Sequence, residues 1–164
     1  MKSLFVLIFL VLSLFLDNDL VGAKEFDELN LPKQIVNPGD FYYPAKRLWE
    51  KIRERLNFNN EVKYGYYKSL SEFRMSELGF VVKNKRLGEV ERASQRFAFY
   101  AGTLTEHLMK YGTKGQKDEI RSKFKSFVTP LDELRDNFPA NSSFWMLVQH
   151  DINSLKEYSE KLAK

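Results

Sequence analysis

Side-chain catalysis needs acids, bases or nucleophiles that converge, and this chain carries few of them. Its two histidines, His107 and His150, each stand alone inside a helical pattern. His107 follows Glu106 and His150 precedes Asp151, but adjacent helix positions point roughly 100° apart and do not face each other. There is no HExxH spacing and no cysteine ligand to make a soft metal site. A hard cation would need clustered carboxylates, and Glu89 with Glu91, Asp118 with Glu119 and Asp132 with Glu133 are the nearest approach. Each of these pairs reads more simply as charge on a helix surface. The serines have no base in register, and the glycines are scattered singly, which rules out a phosphate-cradling loop. The expectation is a chain with no catalytic residue, no cofactor and no metal.

Binding is better represented than chemistry. The net charge is +4 and the isoelectric point about 9.1. This balance suits an acidic partner such as an anionic lipid or wall polymer, although charges of both signs are interspersed as on a solvated helix. Lys83-Asn84-Lys85-Arg86 forms a basic turn, yet the export signal described below argues against a nucleic-acid partner. Tyr64, Tyr66 and Tyr67 could offer ring faces to a glycan, but on a helix they spread around the circumference and read as core and rim. Asn141-Ser142-Ser143 fits both a glycosylation acceptor and a helix cap, and the cap needs no further assumption.

The elements that would position these residues begin with a leader. Lys2 precedes an apolar run from Leu4 to Leu16, then Asp17-Asn18-Asp19 and the small-residue exit Val21-Gly22-Ala23. This is the order of a secretory signal peptide cut after Ala23, and the run is shorter than the roughly 20 apolar residues of a spanning helix. The alternative is an uncleaved anchor with Asp17 and Asp19 at the outer interface. No later stretch has spanning length, so the mature chain is expected to have no transmembrane anchor and to be extracytoplasmic, either periplasmic or secreted. Without cysteine it must hold together by packing alone.

Residues 24–43 read as an irregular arm, with Leu31-Pro32 and a Pro38-Gly39 turn pair. One helical domain is expected over 44–164. Pro44 opens a first helix whose apolar face would be Ala45, Leu48, Trp49, Ile52 and Leu56, with Lys51, Arg53 and Glu54 opposite. Asn59 or Asn60 caps a second helix running to about Lys83, with a stripe of Val62, Tyr66, Leu70, Phe73, Glu77 or Leu78, and Val81. Leu87 to Tyr111 makes a third, carrying Val90, Ala93, Phe97, Ala101, Leu104 and Leu108 and ended by Gly112. The fourth carries Ile120, Phe124, Phe127, Val128, Leu131 and Leu134, with a kink or break expected near Thr129 because Pro130 follows. The fifth follows Asn141-Ser142-Ser143 with Phe144, Trp145, Val148, Ile152, Leu155, Tyr158 and Leu162. No segment alternates as a strand does. The fold class is therefore all-α, an antiparallel bundle of about five helices with an aromatic-rich core.

The stretch from Ile35 to Glu50, reading IVNPGDFYYPAKRLWE, resembles the opening signature of the DUF5667 family of bacterial extracytoplasmic proteins. That signature is a Pro-Gly turn, a Tyr-Pro-x-Lys-Arg stretch and a glutamate on the first helix, here Pro38, Gly39, Tyr43, Pro44, Lys46, Arg47 and Glu50. Arg74 with Glu77 and Leu78 is similar to the family's Arg-x-x-Glu-Leu, and Leu131 to Pro139 to its late Leu-x-x-Leu and proline. The resemblance implies an exported helical domain with no established activity and no catalytic residue to carry over. From the residues alone, Tyr43 and Trp49 are expected to pack the arm onto the bundle as a clasp, with Lys46 and Glu50 facing each other one turn apart. The expected function is non-enzymatic binding of an envelope protein or an anionic envelope component. The alternative is a ligand- or metal-responsive helical adaptor.

Overall fold

The computed structural model describes Leu29, residues 31–56 and residues 59–164. The expected leader, residues 1–23, lies outside the described residues, as does the start of the arm. The described residues form five helices in order: α1 Tyr43–Leu56, α2 Asn60–Lys83, α3 Leu87–Tyr111, α4 Lys114–Asp136 and α5 Ser143–Lys161. No strand occurs among the described residues, and the chain is an all-α bundle.

Local chemistry sets the helix ends. Asn59 precedes α2 in an extended conformation, and its Oδ1 accepts the Glu61 amide at 2.8 Å. The α2–α3 link is short because Lys85 takes a left-handed conformation, φ 54°, reversing the chain within three residues. Gly112 closes α3 as its C-terminal cap, as expected. Its φ is −76°, and glycine is needed because a Cβ there would lie 2.6 Å from the Leu108 carbonyl oxygen. Thr113 then starts α4 through a reciprocal capping box with Gln116, so the helix begins at Lys114, two residues after Gly112. Ser142 caps α5 by accepting the Trp145 amide.

Of the kink or break expected near Thr129, the break does not occur, since α4 runs unbroken through Pro130. Proline at that position frees the carbonyl of Ser126, and Ser126 is exposed, so water can take the hydrogen bond.

The core lies among α2, α3, α4 and α5. Val90, Ala93, Phe97, Ala101, Leu104 and Leu108 of α3 are all fully buried, as are Ile120, Phe124, Phe127 and Leu131 of α4 and Val148 and Ile152 of α5. Phe97 and Phe127 meet with ring centroids 6.3 Å apart. Each such side chain contributes about 1.5–3 kcal/mol on burial, which is how the bundle can stand without disulfides. Within α2 the expected stripe is buried at Leu70, Glu77, Leu78 and Val81, but Val62 is exposed and Phe73 and Tyr66 are only partly covered, while Tyr64, Met75, Val82, Ser71 and Arg74 are buried besides. That helix is covered by neighbours on more than one side, which weakens its hydrophobic periodicity.

The first helix is oriented opposite to expectation. Its apolar residues Ala45, Leu48, Trp49, Ile52 and Leu56 all face solvent. The face turned inward is Tyr43 with Lys46, Arg47, Glu50 and Glu54.

Candidate functional site

Two opposed surfaces of α1 make up the site: a buried charge layer beneath it and an exposed apolar strip above. The layer centres on Arg74 and Glu77 of α2, spaced three apart so that they share a face, and both have side chains with no exposure at all. Arg74 Nη1 donates to Glu77 Oε1 at 2.6 Å, and its Nη2 donates to Glu50 of α1. Glu77 also receives Lys46 Nζ at 2.8 Å and the Tyr43 hydroxyl at 2.7 Å. Arg47 pairs with the same carboxylate of Glu50, and the Glu50 backbone carbonyl accepts the Tyr66 hydroxyl at 2.6 Å.

Electrostatics favour the charged forms here. Burial alone would push the Glu77 carboxyl up, but Arg74 and Lys46 outweigh it and hold it below the usual glutamate range. Burial likewise opposes the charge on Arg74, and Glu77 and Glu50 reverse that effect. The Tyr43 hydroxyl is pushed well above its ordinary value by burial and by the adjoining Glu77, so it stays a donor. Every charge of the layer has a partner of opposite sign, which stabilises its geometry, although Arg74 Nε is buried without a hydrogen-bond partner.

The arm is tied to this layer by polar contacts. Gly39 has φ 88°, and the Asp40 amide closes the turn onto the Asn37 carbonyl at 3.0 Å, as a type II turn requires. Arg86 Nη1 then donates to the Pro38 carbonyl at 2.8 Å and to Asp40 Oδ1 at 2.7 Å. This holds the Asp40 carboxyl below its usual range. Lys46 Nζ donates to the Val36 carbonyl and to Gln34, and Ser76 donates to the Pro32 carbonyl at 3.1 Å.

The structure thus brings together Tyr43, Lys46, Arg47, Glu50, Arg74 and Glu77, with Pro38 and Gly39 forming the turn beside them and an exposed Pro44 opening α1. It differs from expectation in two respects. Trp49 is 65 % exposed and does not pack the arm onto the bundle. Lys46 and Glu50 do not pair, because each finds a buried partner of opposite charge on α2 instead. The reason is one of competition: Arg74 and Glu77 lie in a desolvated layer, where unpaired charge is far more costly than on a surface.

The strip above α1 consists of Leu48, 62 % exposed, Trp49, Ile52 and Leu56, 64 % exposed, preceded by Phe41 and Tyr42. Tyr42 already accepts the Lys46 amide, so it belongs to the first turn and stands seven residues before Trp49, on the same line. Exposed Lys51 and Arg55 border the strip on one side and exposed Arg53 on the other.

The remaining sequence candidates are dispersed. His107 lies between Tyr67 and Tyr111, with Nε2 3.0 Å from the Asn60 carbonyl oxygen. His150 is exposed beside Ser154. Asp118, Glu119 and Asp132 pair with Arg121, Lys68 and Arg135. Among the described residues no three metal-ligating side chains gather. No helix among them is long and apolar enough to cross a membrane. Two buried groups escaped the sequence reading. Arg96 lies under the Tyr43 ring, its guanidinium 5.2 Å from the centroid. Asp151 is buried in α5 with one carboxylate oxygen unpartnered, and burial pushes its pKa up to about 8. Asp151 stands three residues after Val148 and four before Leu155, and Arg96 three after Ala93 and four before Tyr100, so the spacing of the apolar stripes is the signal that could have found them.

Compared with family models, curated proteins and solved structures, the chain matches none.

Proposed function

We propose that this protein is an exported, non-enzymatic binding module that attaches to an anionic membrane surface through the outer face of α1. The observation that carries the reading is the apolar strip of Leu48, Trp49, Ile52 and Leu56, turned to solvent by a helix whose own carboxylates, Glu50 and Glu54, are drawn inward. What remains at the borders of the strip is basic. An apolar face with an interfacial tryptophan and tyrosine, edged by lysine and arginine, is the arrangement of a helix lying in a lipid headgroup layer. A protein core would instead demand that this face be covered. The leader-like first 23 residues and the likeness of Ile35–Glu50 to DUF5667 proteins support an exported setting.

The test is cosedimentation of the full chain with phosphatidylglycerol and phosphatidylcholine vesicles, with and without Leu48→Ser plus Ile52→Ser. The stretch Leu4–Leu16 is common to both chains, so their difference reports α1. Stronger binding to the anionic vesicles, lost in the double variant at unchanged melting temperature, is expected. In a Trp145→Phe background the emission of Trp49 should shift to the blue on vesicle addition. Equal binding by the wild type and the double variant would sink the reading, and capture of an acidic protein in place of vesicles would redirect it.

A further inference from the structure

On the inner flank of α1, an open cleft of about 680 Å³ lies between that helix, α2 and α3. Five cations wall it, Arg47, Lys51, Arg55, Lys63 and Arg96, against one carboxylate, Glu54. Arg47 is engaged by Glu50, and Glu54 accepts the Tyr100 hydroxyl at 3.3 Å. Lys51, Arg55 and Lys63 have no ion-pair partner among the described residues. Arg96 is the most pressed of the five. Its Nε and Nη2 are enclosed without a hydrogen-bond partner. Burial lowers its pKa, Tyr43 and Glu77 oppose that, and the cations Arg47 and Arg74 add to it. The carboxylates of the charge layer are already shared among Lys46, Arg47 and Arg74, so the surplus is left to whatever enters the cleft. Tyr67, Phe99 and Tyr100 supply ring surface to the same space.

We propose that this cleft binds a phosphomonoester dianion bearing an apolar or aromatic group. A single carboxylate would leave most of the surplus charge unbalanced, whereas a phosphoryl dianion presents three oxygens to guanidinium and ammonium donors. The attached group would lie against the rings. The ester can be a soluble molecule or a lipid headgroup, and the cleft recognises the shared chemistry. The cleft shares Lys51 and Arg55 with the border of the strip, but none of the apolar residues Leu48, Trp49, Ile52 and Leu56 lines it, so the two sites can be tested separately.

Titration calorimetry of the full chain with phenyl phosphate tests it, with inorganic phosphate and phenol as its two halves. Phenyl phosphate should bind more tightly than either half, and binding should weaken as salt is raised. Arg96→Gln and Lys63→Gln should each weaken it about tenfold, equivalent to about 1.4 kcal/mol. Lys63 lies on the wall of the cleft outside the buried layer, so its variant keeps the test decisive if Arg96→Gln loses the fold. Displacement of phenyl phosphate by phosphatidic acid vesicles, and not by phosphatidylcholine vesicles, would assign the site to a headgroup. Binding without displacement would assign it to a soluble ester. Leu48→Ser plus Ile52→Ser should leave phenyl phosphate affinity unchanged, which separates this proposal from membrane attachment. Absence of binding, or affinity unmoved by both Arg96→Gln and Lys63→Gln, would overturn it.

Discussion

The bundle of α2 to α5 and the layer beneath α1 solve the same problem of attaching a helix in opposite ways. In the bundle, apolar stripes meet one another, and α3 buries Val90, Phe97, Leu104 and Leu108 while its charged residues other than the partly enclosed Arg96 face outward. Under α1 the polar face is turned inward, onto Arg74 and Glu77, and the apolar face is left in water. The first arrangement gains its free energy from burial, which is non-directional and tolerant of small shifts. The second depends on directional pairing of groups that are costly to leave alone, so it fixes where α1 sits without consuming its apolar face. Attachment through charges is what leaves that face available.

This contrast breaks first at the buried pair. Removing one partner, as in Arg74→Met, strands Glu77 and Glu50, and should cost about 3–5 kcal/mol in denaturant unfolding. Glu77→Gln should weaken attachment in the same direction. Because the folded state lowers the Glu77 pKa, the stability it contributes is present above the unfolded value of 4.5 and is lost as pH falls. A melting temperature that is insensitive to either change would mean that α1 is held some other way.

Within the bundle, Asp151 offers the opposite pH dependence. Its folded pKa of about 8 lies above the ordinary 3.8, so the native state holds a proton that the unfolded chain releases. Stability should therefore be highest below pH 4 as far as this group is concerned, and fall up to about pH 8, by at most ~1.4 kcal/mol per pH unit. Asp151→Asn should flatten that slope and raise the melting temperature at pH 8. An unchanged slope would show that the carboxyl is solvated.

Tyr43→Phe sharpens the comparison at the level of one bond. It removes a hydrogen bond to a charged acceptor, worth about 1.5–3 kcal/mol, and should lower the melting temperature with α1 still in place. The smallest effect is expected at Trp49→Ala, within about 0.5 kcal/mol of wild type in stability. If Trp49→Ala destabilised as much as Tyr43→Phe, the tryptophan would be packing against the arm after all.

Much of this architecture could be read directly. The spacing from Val90 to Leu108 specified α3 and its buried face, and Asn59 and Ser142 marked two helix starts, because periodicity and caps are local properties. The turn at Pro38-Gly39 was legible for the same reason. The candidate site was legible only as a set of residues, since Tyr43, Lys46, Arg47, Glu50, Arg74 and Glu77 stand out in the chain while nothing local pairs them correctly. Lys46 and Glu50 make a plausible couple one turn apart until α2 supplies buried alternatives to both.

Amphipathicity alone told that α1 has two unlike faces and grouped its apolar residues correctly, although Lys51 and Arg53, expected opposite them, border the exposed strip and only Glu54 of that set turns inward. Which face turns inward was decided by Arg74 and Glu77, more than twenty residues away along the chain. A periodic pattern records how a helix divides its surface, whereas the choice between the halves depends on what the neighbouring helix has already committed to the interior. Asp151 is the reverse case, since its place three residues after Val148 and four before Leu155 puts it on the buried stripe of α5, whereas the enclosure of Arg96 waits on Tyr43 brought over it by α1.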